Sequence, residues 1–130
     1  MDIKKFIIED GEELIECENY EFFCWRNKKG QIHRKIGPAI IYKSGKYTAW
    51  YLNGKKHRID GPAIRYNGAS TEEWWQYGKL HRKDGPARQY FGNQYFLKGK
   101  ALSKNEFLKI ITIKRIKKIN ANTRKNKQTY

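Results

Sequence analysis

The stretch His57-Arg58-Ile59-Asp60-Gly61-Pro62-Ala63 decides how this chain is read, because it occurs three times. His33-Arg34-Lys35-Ile36-Gly37-Pro38-Ala39 stands 24 residues before it, and His81-Arg82-Lys83-Asp84-Gly85-Pro86-Ala87 stands 24 residues after it. Every His and every Pro of the protein lies in one of these three copies. A fixed period of this size marks a repeat architecture, in which each unit buries its apolar face against its neighbours. Gly-Pro within each copy reads as backbone punctuation: Gly permits positive φ, and Pro cannot donate to a ladder, so a strand begins only after it. Gly61 and Gly85 are accordingly expected at positive φ, with Asp60 and Asp84 bonding their own backbone in Asx-type turns.

Outward from this stretch, Ala39-Ile40-Ile41-Tyr42 reads as a short strand, Lys43-Ser44-Gly45-Lys46 as a turn and Tyr47 to Leu52 as a longer strand. Asn53-Gly54 then closes the unit with a type I′ hairpin, whose two central residues both take positive φ. The next unit repeats the layout as Ala63 to Tyr66, Asn67-Gly68, Thr71 to Gln76 and Tyr77-Gly78. The last unit is three residues shorter, turns at Gly92-Asn93 and ends in Tyr95-Phe96-Leu97-Lys98-Gly99-Lys100. Upstream, residues 3–8 and 12–17 read as two strands around Glu9-Asp10-Gly11-Glu12, and Tyr20 to Trp25 as a strand feeding a turn at Asn27-Lys28-Lys29-Gly30.

Downstream, Ser103-Lys104-Asn105-Glu106 has the spacing of a helix capping box. Phe107, Leu108, Ile110, Ile111, Ile113, Ile116 and Ile119 follow mostly at threes and fours, which predicts a helix to about Ile119. Phe107, Ile110 and Ile111 are expected to close the open end of the sheet, the cap that a repeat array requires. The predicted fold is mainly β, an antiparallel meander of ~24-residue hairpin repeats with a C-terminal α-helix. Its parts are an acidic N-terminal cap over residues 1–24, a hairpin array over 25–102, a basic helix over 103–119 and a basic polar tail over 120–130, the last expected to be disordered alone.

Charge follows the same division. The chain carries +15 in all, distributed as −6 over residues 1–24, +13 over 25–100 and +8 over 101–130. An excess of this size repels itself in isolation, and polyanions are its natural partners. Apolar residues make up 38% of the chain, so the core should be thin, with aromatic rings supplying much of it. Two cysteines, Cys17 and Cys24, are too few for a disulfide framework or a four-ligand zinc site. Neither a secretory apolar segment nor a membrane-spanning run is present, which points to a cytoplasmic protein with reduced thiols.

A zinc site shared by His33, His57 and His81 is the sharper reading of the three imidazoles. Equivalent positions in neighbouring hairpins stand on the order of 10 Å apart, whereas zinc takes its nitrogens at about 2.0–2.1 Å. One ion could not reach all three. Each ring is instead expected to pack beside the aromatic residues, its N–H bonded to a carbonyl or to Asp60 or Asp84. A constellation present several times over is scaffold rather than catalyst, so no catalytic residue, metal, cofactor or small-molecule substrate is expected.

Trp50-Tyr51, Trp74-Trp75 and Tyr95-Phe96 place adjacent rings on opposite faces of a strand. One face packs across strands. The other leaves Tyr51, Trp75 and Phe96, or the reverse set, as a row near Arg58 and Arg82 that could stack on bases or grip a partner. The basic run Lys109, Lys114, Arg115, Lys117, Lys118, Arg124, Lys125 and Lys127 has almost no acidic counterparts, which sets it apart from an ordinary solvated helix face.

The units Trp50 to Ala63 and Trp74 to Ala87 resemble the W-W-x-N-G-K-x-H-R-x-D-G-P-A repeats of bacteria, bacteriophages and large DNA viruses, which are distantly similar to MORN-type hairpin repeats. The resemblance covers residues 25–100. The first unit departs from the pattern, with Arg26-Asn27 for the aromatic pair and Ile36 for Asp, as an edge unit would. The resemblance implies a meandering β-sheet used for binding, and it names no ligand. The expected function is non-enzymatic binding through a basic surface and tail, to nucleic acid or to a protein handling nucleic acid. The rival expectation is a phage-type inhibitor or adaptor that blocks a host defence protein, a nuclease or CRISPR-type effector, by protein–protein contact in the host cytoplasm.

Overall fold

In a computed structural model, which describes residues 2–68 and 71–128, the chain begins as a hairpin of β1 (Ile3–Glu9) and β2 (Glu12–Glu18). Its turn places Asp10 at φ 50° and Gly11 at φ 74°. There follow β3 (Phe22–Arg26), β4 (Ile40–Tyr42), β5 (Tyr47–Ala49), β6 (Tyr51–Leu52), β7 (Lys55–Lys56), β8 (Ile64–Tyr66) and β9 (Thr71–Glu73). The array ends with β10 (Trp75–Gln76), β11 (Lys79–Leu80), β12 (Arg88–Gln89), β13 (Asn93–Leu97) and β14 (Lys100–Leu102), before the helix α1 (Lys104–Gln128). Ten strands form one antiparallel sheet in the order β1-β2-β3-β4-β5-β8-β9-β12-β13-β14, and β6-β7 and β10-β11 form two short ribbons beside it. The fold is a mainly β meander with a C-terminal helix.

The repeat explains why the short ribbons leave the sheet. Residues 47–52 do not run as one strand, because Trp50 breaks it. The Trp50 amide donates to the Ala63 carbonyl at 2.7 Å, while its carbonyl accepts the His57 amide at 3.0 Å. Its two backbone groups thus serve two different neighbours, and the chain turns from the main sheet into the ribbon. Trp74 does the same with Ala87 and His81, at 2.7 and 2.9 Å. At these crossings Ala39, Ala49, Ala63 and Ala87 are fully buried, leaving room for a methyl group and little more. Trp25 makes the equivalent pair of bonds with Ala39 and His33, so it is the first unit's counterpart of Trp50. The Asn27 to Gly30 turn is longer than Asn53-Gly54, and that length shifts the alignment which places Arg26-Asn27 at the aromatic pair.

Neighbouring ribbons are tied by recurring backbone bonds. Arg34, Arg58 and Arg82 donate their amides to the carbonyls of Tyr51, Trp75 and Phe96, and Gly54, Gly78 and Gly99 donate to Ile32, Lys56 and Leu80. The turn residues Asn53, Tyr77 and Lys98 all lie near φ 48–49°, each followed by a Gly at φ 77–83°. The β12–β13 hairpin turns at Phe91-Gly92 (φ 48° and 123°), one residue before the expected Gly92-Asn93, and Asn93 already belongs to β13.

The capping box forms: the Ser103 hydroxyl accepts the Glu106 amide at 3.1 Å, and the Glu106 carboxylate accepts the Ser103 amide at 2.9 Å. Phe107 and Ile111 are the buried residues of α1, and Phe107 packs on Tyr95 with ring centroids 4.9 Å apart. The helix does not stop near Ile119. It continues to Gln128, so residues 120–128, expected to be a separate tail, are helical, while 129 and 130 lie outside the described residues. No helix among the described residues is long and apolar enough to cross a membrane.

Candidate functional site

The three copies of the motif build one construction. The guanidinium of Arg34, Arg58 or Arg82 lies over the ring of Trp25, Trp50 or Trp74, 3.9–4.2 Å from the centroid, and its Nη1 donates to the carbonyl of Pro38, Pro62 or Pro86 at 3.3 Å. The second face of each guanidinium rests on the Gly. A Cβ on Gly37, Gly61 or Gly85 would stand 3.2, 2.8 or 3.2 Å from the Arg Cζ, and none of these glycines has positive φ. The expected left-handed turn is therefore corrected: Gly is required for close approach of the arginine, not for φ.

The aspartates also bond an arginine, and Asp84 keeps the expected bond to its own backbone amide. Asp60 and Asp84 accept Nε of Arg58 and Arg82 at 3.0 and 2.8 Å, and that bond from Arg82 holds the Asp84 carboxyl below the usual range. Ile36 leaves no carboxylate in the first unit. Glu9 from β1 supplies it, accepting Nε and Nη2 of Arg34 at 2.9 and 2.8 Å, and this bond lowers its own pKa.

The histidines do not donate to those aspartates. Nδ1 of His33, His57 and His81 accepts the backbone amide of Asn53, Tyr77 and Lys98, in each case at 2.9 Å. Each ring thus caps the left-handed turn of the following unit. Nε2 of His33 lies 2.9 Å from a carboxylate oxygen of Glu12, whose pKa is lowered by that bond and by Lys35. Burial holds His57 and His81 below the usual imidazole range, Lys83, Lys98 and Lys114 adding to the effect at His81.

No clean exposed row of Tyr51, Trp75 and Phe96 exists, since all three are half-buried. Trp75 Nε1 donates to the buried Glu73 at 2.7 Å, and Lys56 sits over its ring at 4.5 Å. Burial and the Glu73 charge push the Tyr51 phenol up. Arg58 and Arg82 are engaged with their Trp, Asp and Pro partners. The continuous aromatic line lies elsewhere on the sheet: Phe22, Tyr42, Tyr47, Tyr66 and Tyr90, in steps of 5.6, 5.1, 5.1 and 6.5 Å. Burial raises the Tyr47 phenol, and pushes that of Tyr66, hydrogen-bonded to Tyr90, up to about 12. A signal for this line stands in the sequence, because Tyr42, Tyr66 and Tyr90 recur at the same 24-residue period.

Helix α1 carries the remaining candidates. Lys109, Lys114, Arg115, Lys117, Lys118, Arg124, Lys125 and Lys127 are all exposed, and none belongs to an ion pair among the described residues. Lys114, Lys118 and Lys125 continue the line of the helix that begins with Phe107 and Ile111, so the face that is apolar against the sheet turns basic where contact ends. Lys117 and Arg124 occupy the adjacent line. The root of this array is near the third repeat loop, where Lys114 acts on His81 and Arg115 on Asp84. Leu108, Ile113, Ile116 and Ile119, 48–63% exposed, leave the far side apolar rather than packed. Comparison with protein-family models, with curated proteins and with solved structures finds no match to this chain.

Proposed function

We propose that this protein is a non-enzymatic binding module that lays the cations of α1 along the phosphate backbone of nucleic acid. The observation that carries the reading is the helix itself. Over 25 residues its single carboxylate, Glu106, is consumed in the N-terminal cap, and eight cations from Lys109 onward are exposed, none in an ion pair among the described residues. At 1.5 Å per residue the helix is about 37 Å long, and a duplex of that length carries on the order of 20 phosphates. Nothing in this arrangement favours one base over another, because the candidate groups are point charges suited to phosphate rather than to base edges. The resemblance to hairpin repeats used for binding is consistent with a scaffold that presents the helix.

The test is affinity for a generic oligonucleotide at several salt concentrations, with and without residues 114–130. Each neutralised phosphate contributes about −0.9 on duplex, or −0.7 on a single strand, to the slope of log K against log salt. Removing seven cations should flatten that slope. Absence of binding at low salt overturns the reading and leaves the adaptor, which would hold a specific acidic protein and use the same charges mainly to speed association.

A further inference from the structure

Cys17 and Cys24 are direct cross-strand partners in the β2–β3 ladder. The Asn19 amide donates to the Phe22 carbonyl at 3.1 Å, and residues two apart along an antiparallel ladder share the same pair type. The cysteines therefore oppose each other at a hydrogen-bonded position, where Cα atoms stand about 5.5 Å apart. That separation lies inside the range of about 4.4–6.8 Å that a disulfide spans. Their side chains leave the same face of the sheet, so the sulfurs meet without a change of register, the Cβ atoms drawing in from the roughly 5 Å of such a pair to about 3.5–4.5 Å.

Both thiols line a cleft of about 360 Å³, together with Asp2, Lys4, Glu18, Asn19, Phe22 and Arg26. Cys17 is half-exposed, whereas Cys24 is 4% exposed. Burial and the neighbouring Cys17 push the Cys24 thiol up, and Arg26 draws it partly back. Cys17 is thus the point of entry, and Cys24 the resolving thiol.

We propose that Cys17 and Cys24 form a reversible thiol–disulfide site whose oxidant is a small disulfide of the glutathione type. The cleft admits a small reagent, and its Lys4 and Arg26 are matched in number by Asp2 and Glu18, so size rather than charge selects it. The Cys17 thiolate attacks one sulfur of glutathione disulfide, and the first glutathione leaves as thiolate. The Cys24 thiolate then attacks the sulfur of Cys17 in the mixed disulfide, closes the Cys17–Cys24 bond and expels the second glutathione. Two electrons pass from the protein dithiol to the oxidant, and the two protons released by the cysteines end on the two glutathione thiols. The product ties the acidic β1–β2 hairpin covalently to the repeat array.

The experiment equilibrates the full, reduced chain with glutathione buffers of graded oxidation, alkylates the remaining thiols and measures mass. The expected wild-type end point has lost both free thiols and the mass of two hydrogens, and it retains no glutathione. Cys24→Ser should instead keep one glutathione on Cys17. In the chain unfolded by guanidinium, the internal disulfide should require a more oxidising buffer. Wild-type protein that accumulates a stable mixed disulfide or leaves both thiols free overturns the proposal, as does an oxidation midpoint unmoved by unfolding.

Discussion

Nδ1 of His57 accepts the backbone amide of Tyr77 at 2.9 Å, across 20 residues of sequence. Tyr77 lies at φ 49°, so the imidazole holds the first residue of a left-handed turn in the next unit. The bond requires a lone pair on Nδ1, and a protonated ring has none. Burial keeps both His57 and His81 below the usual imidazole range. The unfolded chain therefore takes up these protons first, and the stability they contribute is complete above the unfolded pKa of about 6.5 and lost as pH falls below it. The thermal midpoint should be level near neutrality and decline from about pH 6.5 downward. His57→Gln should lower the midpoint at neutral pH, by the equivalent of about 1 kcal/mol, and make the decline shallower. A flat wild-type profile through this window would contradict the acceptor role.

Gly61 faces the guanidinium of Arg58, and a Cβ there would stand 2.8 Å from Cζ. Gly61→Ala should push Arg58 off Trp50 and cost roughly 1–2 kcal/mol. In an Arg58→Ala background the same change should cost little, because the obstruction is gone. Denaturant unfolding of the four proteins checks this. Equal costs in both backgrounds would return the glycine to a purely backbone role.

Glu9 does for Arg34 what Asp60 does for Arg58, at 17% exposure of its own side chain. Glu9→Gln should destabilise by about 2 kcal/mol, the range for a charge-assisted pair. Ile36→Asp should restore part of that loss by placing a carboxylate where the other two units carry one. The Glu9 carboxyl is held below its usual range, so its contribution is present at neutral pH and lost as pH falls through the carboxylate range. Thermal midpoints of the single and double variants, compared at neutral pH, decide the point.

Phe107 and Ile111 hold α1 to the sheet. Truncation after Ile113 should leave the unfolding midpoint close to that of the full chain, since every removed side chain among residues 114–128 is exposed. Phe107→Ala should lower stability by about 3 kcal/mol through the cavity under Tyr95. Circular dichroism with thermal unfolding separates these outcomes, and a large loss on truncation would show that the distal helix supports the fold.

The hairpins and the capped helix were legible because their signals are local. Asn53-Gly54 needs only its own φ preferences, and Ser103 and Glu106 need only each other. The helix end is not legible, because the apolar spacing stops at Ile119, while Asn120 to Gln128 continue as helix with exposed side chains. The exposure of the candidate ring row is not legible for a related reason. Alternation assigns Tyr51 and Trp75 to a face, but the break at Trp50 and Trp74 turns those faces into ribbons that neighbouring side chains half cover.

By itself the sequence determined the period, the Asn53-Gly54 and Tyr77-Gly78 turns, the antiparallel meander and the uneven charge, since each depends on residues adjacent in the chain or on simple counting. Only the tertiary structure decided the partners across units: His57 with the Tyr77 amide, Glu9 with Arg34, Arg58 between Trp50 and Gly61, Cys17 opposite Cys24. Those pairs follow from strand register and from ribbons stacking one unit on the next, and register is set by many weak contacts at once. No local stretch of residues encodes it.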